Sequence, residues 1–279
     1  MILAFIVISS FLWNYFFLFD LFSHFYLQLL VLDLVFVVIS LFLKSKVEII
    51  ISIAIAAMLS IFVIKMDISP ILSPKHDSDW EIMFMNTYFW NKNENDIVNY
   101  IKKKKPSKLA LVEPNESLFK AIKNQNLFVY SDYRPDSAES IAFFSNSYPE
   151  TKQFVLKEGY PIWIYSFKDL DILIAHPYPP FDSEAYKKQK KVFAWLRNAL
   201  DVLNNKHRRY LLVWDFNSSV YSRVFQKYFW DLEHYGIYTW ATNTPLALPI
   251  DQAISNKPIK VLPWDALSSD HIPLHISFR

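Results

Sequence analysis

The sequence predicts a domain of mixed strands and helices set behind three membrane-spanning helices. Three observations carry that reading. Hydrophobic residues make up 52% of the chain and its mean hydropathy is +0.12, yet most of the excess precedes residue 66. Beyond that point, apolar runs of strand length end abruptly at polar residues, as in strands buried on both faces. Apolar residues at helical spacing separate some of these runs.

The three N-terminal runs are Met1 to Phe19, Phe25 to Leu43 and Val47 to Ile64. Each is near the roughly 17–25 residues that a helix needs to cross the hydrocarbon core. The first has neither the basic start nor the small-residue cleavage site of a secretory signal, so it is expected to be retained. Trp13, Tyr15, Phe16, Phe17, Phe25 and Tyr26 flank the first turnaround, where interfacial rings are favoured. Lys44 and Lys46 in the second loop, against Asp20 and His24 in the first, put the second loop in the cytoplasm. The domain after Lys65 is then extracytoplasmic, on a plasma or inner membrane. Asp33 lies in mid-span, where a charge costs about 2.5–3.5 kcal/mol on insertion scales; a carboxylate turned toward the other helices lowers that cost.

Residues 66–79 contain Pro70 and Pro74 among small polar residues and read as a linker. The expected division is therefore an anchor over 1–65, the linker, and a catalytic domain over 80–279. The part of the chain after residue 65 keeps the net charge of +2, because Lys44, Lys46 and Lys65 are matched by Asp20, Asp33 and Glu48. That balance supplies no general pull toward polyanions. The absence of cysteine excludes disulfides and thiolate metal sites. Two glycines, Gly159 and Gly236, exclude the Gly-rich phosphate loops. Any phosphate chemistry has to rest on side chains and a metal.

Within the domain, Ile82 to Met85 ends at Asn86, Leu109 to Val112 at Glu113, Ile172 to Ala175 at His176, and Leu211 to Trp214 at Asp215. If these strands lie in packed sheets, their ends converge on one rim, where ligands of open sheets bind. Ile97, Val98 and Ile101 predict a helix closed by Lys102 to Lys105 and Pro106. Tyr186, Phe193, Leu196 and Leu200 predict a longer one begun by Ser183, and Val220 to Phe229 a third. Lys187, Lys188, Lys190 and Lys191 read as a solvated helix face, and Trp240 as loop packing.

The segments MFMNTYF, PSKLALVEP, LDILIAHPYPP, RRYLLVWDFNSSVYSRVF, YTWATNTPLALPIDQAI and LSSDHIPLHISF, in that order, resemble the endonuclease/exonuclease/phosphatase superfamily. The HPxPP form looks like its membrane-attached bacterial branch. The resemblance implies an α+β fold, a four-layer α/β/β/α sandwich of two packed mixed sheets. It implies metal ligation by Glu113, with Asn86 beside it and Asp270 near the metal or the nucleophile. Asp215 matches the residue that activates the attacking water, and Asn217 the one holding that water or a phosphoryl oxygen. His176 matches a donor to the phosphoryl oxygens, and Asp251 the carboxylate paired with His271. The implied cofactor is Mg²⁺ or Mn²⁺, which take hard oxygen ligands. Three positions depart from the pattern: Trp214 for glycine, Val112 for a polar residue and Gln252 for an aromatic or histidine. Trp214 is expected to narrow the cleft or alter substrate fit.

The leading expectation is a membrane-anchored, metal-dependent phosphoesterase acting by in-line attack of water, with the lipid bilayer as partner and lipid-linked esters as substrates. A nuclease acting on nucleic acid comes second, and a non-catalytic domain that retains the fold third.

Overall fold

The computed structural model describes residues 17–67, 80–91, 93–135, 139–177, 179–241 and 244–278. Three helices come first: α1 (Phe17–Ser23), α2 (Tyr26–Leu43) and α3 (Lys46–Asp67). The next elements are β1 (Trp80–Asn86), α4 (Glu94–Lys104), β2 (Lys108–Val112), α5 (Glu116–Lys123), β3 (Tyr130–Arg134) and β4 (Ile141–Ser145). The second half holds β5 (Thr151–Lys157), β6 (Tyr160–Ser166), β7 (Leu170–Ala175), α6 (Ser183–Asn205), β8 (Arg209–Asp215) and α7 (Arg223–Phe229). It closes with β9 (Glu233–Gly236), β10 (Asp251–Ser255), β11 (Ile259–Pro263) and β12 (Leu274–Phe278).

The strands form two six-stranded mixed sheets, ordered β11-β12-β1-β2-β4-β3 and β5-β6-β7-β8-β10-β9. Side chains alternate across each strand, and both faces are covered. Ile82, Phe84, Ala110, Ile172, Ile174 and Val213 fill the space between the sheets. Met83, Met85, Leu109 and Leu111 pack outward under α4 and α5, on Ile97, Ile101, Leu118 and Ile122. Leu212 and Trp214 pack outward under α6 and α7, on Phe193, Leu196 and Phe225. This is the sandwich the resemblance implies, and double burial explains why its central strands read as unbroken apolar runs. The β5–β6 hairpin turns through Glu158 (φ 52°) and Gly159 (φ 91°), the latter a conformation that only glycine adopts freely.

Two sequence expectations need correction here. Asp182 rather than Ser183 caps α6, its Oδ1 accepting from the Glu184 and Ala185 amides at 2.8 Å each. Among the described residues one helix, Tyr26–Leu43, is long and apolar enough to cross a membrane, not three. The third run is the helix α3, and its Ile55 and Leu59 are buried in the domain's apolar cluster. The first run lies outside the described residues up to position 16, and its last residues open α1. Asp33 is buried between α2 and α3, beside Ser52 and the Ala56 backbone.

Instead of standing off as a separate anchor, α1 and the adjoining ends of α2 and α3 dock on the second sheet's helical layer. Asp20, 1% exposed, accepts from Ser222 Oγ at 3.0 Å and from the Arg223 and Val224 amides at 2.7 and 3.3 Å. Ser218 Oγ lies 3.5 Å from His24 Nε2, and Ser219 Oγ donates to the His24 carbonyl at 3.4 Å. Tyr26, Ile55 and Leu59 belong to the same apolar cluster as Trp214 and Phe216. The loop that follows Asp215 is thus clasped by the N-terminal helices.

Candidate active site

β1 runs parallel to β2, and β7 parallel to β8. The C-terminal ends of all four strands therefore meet on one rim, where each chain leaves the core at a polar residue. Asn86 sits at the end of β1, with its side chain between two carboxylates. Its Nδ2 donates to Glu113 Oε1 at 2.8 Å and to Asp215 Oδ2 at 2.9 Å, one from each sheet. Its Oδ1 accepts from the Tyr88 amide at 2.8 Å, which fixes the rotamer.

Glu113 follows β2 with φ 58°, a left-handed backbone conformation that costs a non-glycine residue energy. Its amide donates to the Ser140 carbonyl at 2.8 Å, and its Oε2 accepts from the Phe89 amide at 3.2 Å. His176 Nε2 lies 3.1 Å from Glu113 Oε1. Burial works to raise the Glu113 pKa, but the His176 hydrogen bond and charge, then Asn86 and the Phe89 amide, together bring it down to about 2.

Asp215 is the hub. It is 1% exposed, and its Oδ2 lies 3.8 Å from His176 Nδ1 and 3.9 Å from His271 Nε2. Its Oδ1 accepts from the Asn217 amide at 2.8 Å. Burial and then the Asp251 carboxylate push its pKa up to about 6, against the pull of His271, His176 and the Asn217 amide. Asn217 (φ 46°) directs its own Nδ2 to the Pro177 carbonyl at 2.9 Å, tying the β8 loop to the one after β7.

Asp251, which pairs with Asp215 in the β10–β8 register, holds His271 through a 2.6 Å contact between its Oδ2 and Nδ1. Burial opposes the imidazolium, yet the charge and hydrogen bond of Asp251, then Asp215 and Asp270, raise the His271 pKa to about 10. That ring is cationic at neutral pH and presents Nε2–H toward Asp215. Asp270 stands further out. Its Oδ2 accepts from Trp240 Nε1 at 3.2 Å, and its Oδ1 is 4.0 Å from His271 Nε2.

The structure thus brings all eight residues singled out in the sequence together at the rim between the sheets. The Trp214 expectation is overturned: the ring is fully buried on the opposite side of β8, stacked on Phe216 at 4.2 Å and edge-on to Phe193 at 5.3 Å. Side-chain alternation makes that unavoidable once Asp215 faces the cleft. Val112 and Gln252 are also buried. Sequence reading passed over Ser269, whose Oγ donates to the Asn86 carbonyl at 2.8 Å and accepts from the His271 amide at 3.1 Å. It lies inside the quoted LSSDH segment. Ser140 and Phe89 act through backbone atoms and leave no trace in residue type.

Glu113, His176 and Asp215 offer ligand atoms within 4.8 Å of one another, as do Asp215, Asp251 and His271, and either group could hold a metal ion. The Glu113 carboxylate is a hard oxygen donor of the kind a divalent cation takes. In addition, the buried Asp251 Oδ1 and His176 Nδ1 have no hydrogen-bond partner among the described residues.

Comparison with solved structures places this fold. The humanized D. rerio TDP2 structure superposes with a TM-score of 0.57 at 13% identity, covering 72% of this chain and 98% of that one. A 3′ phosphatase NExo from Neisseria bound to a product DNA hairpin gives 0.57 at 18% identity, covering 72% and 99%. An AP endonuclease from Archaeoglobus fulgidus gives 0.56 at 16%, covering 71% and 99%. All three have the endonuclease/exonuclease/phosphatase-type fold, and so does this chain. No protein-family model matches the sequence, and no curated protein matches it.

Proposed function

We propose that this chain is a metal-dependent phosphoric ester hydrolase of the endonuclease/exonuclease/phosphatase type, anchored in a membrane by its N-terminal helices. The observation that carries the reading is the geometry around Asp215, a buried carboxylate with two histidine ring nitrogens within 4 Å and Asn86 joining it to Glu113. Burial raises its pKa, which suits it to accept a proton. It takes one from a water aligned by Asn217; the water oxygen bonds to phosphorus as the ester oxygen leaves in line. His271, kept cationic by Asp251, and His176 donate to the phosphoryl oxygens as negative charge builds. Glu113, with Asn86 beside it and Asp270 at the rim, would hold Mg²⁺ or Mn²⁺. Such an ion polarises the phosphoryl group and stabilises the leaving oxygen.

Two substrate classes have specific support. Nucleic acid is favoured by the fold neighbours, whose structures include DNA product complexes. Lipid-linked esters are favoured by an anchor docked beside the site. The test is a panel of lipid phosphates, lipid pyrophosphates, small phosphodiesters and DNA, offered to the full chain in detergent with Mg²⁺ or Mn²⁺. EDTA, Glu113→Gln and His271→Ala are each expected to remove turnover. Metal-independent turnover, or activity intact in both variants, would overturn the assignment, and no turnover on any member would favour a non-catalytic domain. For the anchor, 1–65, we place the Lys44–Lys46 loop in the cytoplasm and the catalytic domain, 80–279, outside. Reporter fusions after Ile64 should be active only in the extracytoplasmic compartment; activity only in the cytoplasm would reverse the topology.

A further inference from the structure

The N-terminal helices meet the domain at a depth that can be read from their length. Helix α2 has 18 residues, about 27 Å at 1.5 Å per residue, against a hydrocarbon core of about 30 Å. If α2 spans a bilayer, it needs its whole length to do so. Yet its first turns are already occupied by the domain. Tyr26 is fully buried, Leu29 and Leu30 pack on the domain's apolar cluster, and Met58 and Val63 of α3 do the same. Only from Val31 onward does α2 present an exposed apolar surface, with Val31 at 55% and Phe42 at 83%. The domain surface that packs on residues 26–30 therefore shares their depth, and the domain is seated in the interface instead of hanging above it.

The cleft mouth adjoins that seat. Gln28 Nε2, in the first turn of α2, donates to the Ala247 carbonyl at 2.8 Å. Residues 244–248 flank the site, since Leu248 bridges to Trp240, which also bridges to His271. Leu246 in this segment is 56% exposed, and Phe181, between the site's Pro177 and α6, is 81% exposed. Basic residues outnumber acidic ones beside the seat, although Lys188 and Lys191 of α6 pair with Glu184 and Glu158. Lys190 is flanked by Lys227 and Lys187, with Asp20 of α1 the opposing charge it feels; burial, then those lysines, lower its pKa. Exposed apolar tips, with Phe181 just before the lysine-bearing helix α6, match the boundary between acyl chains and anionic headgroups.

We propose that the mouth of the cleft is a membrane-contact surface: Leu246 and Phe181 enter an anionic bilayer, and the phosphate esters that reach Asp215 are borne on its lipids. This rests on the reading of α2 as a spanning helix, and it deepens the hydrolase assignment by naming the substrate class. The same lysines could attract a nucleic acid, which becomes an outcome of the test.

The absence of cysteine allows single-site labelling of the full chain. Leu246→Cys and Phe181→Cys, each carrying a polarity-sensitive fluorophore, are reconstituted in phosphatidylcholine–phosphatidylglycerol vesicles with brominated acyl chains. Val129→Cys is the control, 57% exposed and just before β3, on the rim opposite the cleft. Quenching is expected at 246 and 181 and not at 129. In parallel, the ratio of turnover on vesicle-borne phosphatidic acid to that on soluble bis(p-nitrophenyl) phosphate should fall about tenfold in Leu246→Glu. Unquenched probes at 246 and 181, or a ratio unmoved by Leu246→Glu, overturns the proposal. So does a probe response to single-stranded DNA but not to brominated lipid, which would assign the mouth to nucleic acid. Quenching needs no turnover, so an inactive but quenched protein would sink the hydrolase reading and leave the membrane contact standing.

Discussion

At the scale of single residues, the site's polar groups sit where the sheets force them to, each touching a neighbour of complementary chemistry. Lys108 differs, because it is 6% exposed with no ion-pair partner among the described residues. Its ammonium lies 4.1 Å from the Trp80 ring centroid and 4.9 Å from that of Phe167. Burial pulls its pKa from 10.5 down to about 8. Between those values the unfolded chain binds more protons than the folded one, so stability rises with pH across that window and the cost is fully present below it. Lys108→Met is expected to stabilise the protein at pH 7 by about 1–3 kcal/mol, the rings' attraction offsetting part of the shift. It should also flatten the pH dependence of the melting temperature between pH 8 and 10.5; an unchanged slope would contradict the burial argument. Trp214 makes the opposite case, since its ring belongs to the α6 layer. Trp214→Gly should cost about 3–5 kcal/mol of stability in denaturant titration, without broadening the substrate range. A variant of undiminished stability with a wider range would restore the cleft-narrowing role.

At the scale of elements, legibility followed burial. β1, β2, β7 and β8 were visible because strands covered on both faces leave continuous apolar runs, and the switch to Asn86, Glu113, His176 and Asp215 marked where each ends. The partners Asp251 and His271 came from the resemblance, since no local pattern announces a pairing across 20 residues. β5, whose Thr151, Lys152 and Gln153 are exposed at a sheet edge, has too little apolar alternation to be seen. The docking of α1 was also hidden. Asp20 read as a turnaround charge, whereas it is a buried acceptor for the first residues of α7. Asp20→Ala is expected to lower stability by about 2 kcal/mol, and to make the 216–222 loop cleavable in limited proteolysis. Full resistance to protease with an unchanged melting temperature would mean that apolar contacts alone hold the helices to the domain.

For the whole molecule, the two sheets contribute unequally to one site: Asn86 and Glu113 come from the first, and His176, Asp215 and Asp251 from the second. Neither sheet alone carries a proton acceptor, a cationic donor and the Glu113 carboxylate, so function depends on the sandwich closing. The strand order adds a condition on when that can happen. β1 lies between β2 and β12, with Trp80 opposite Phe278 and Phe84 opposite Leu274. On a ribosome, β12 emerges after every other element described here, and His271 emerges just before it. Pairing strands so distant in sequence is slow in any case. The N-terminal helices are thus made first, while β1 still lacks its β12 neighbour. A nascent chain exposes that strand edge until translation has passed Phe278, and until β12 pairs with β1 the site is incomplete. Synthesis itself orders the events: the N-terminal helices come first, and the completed cluster of site residues comes last.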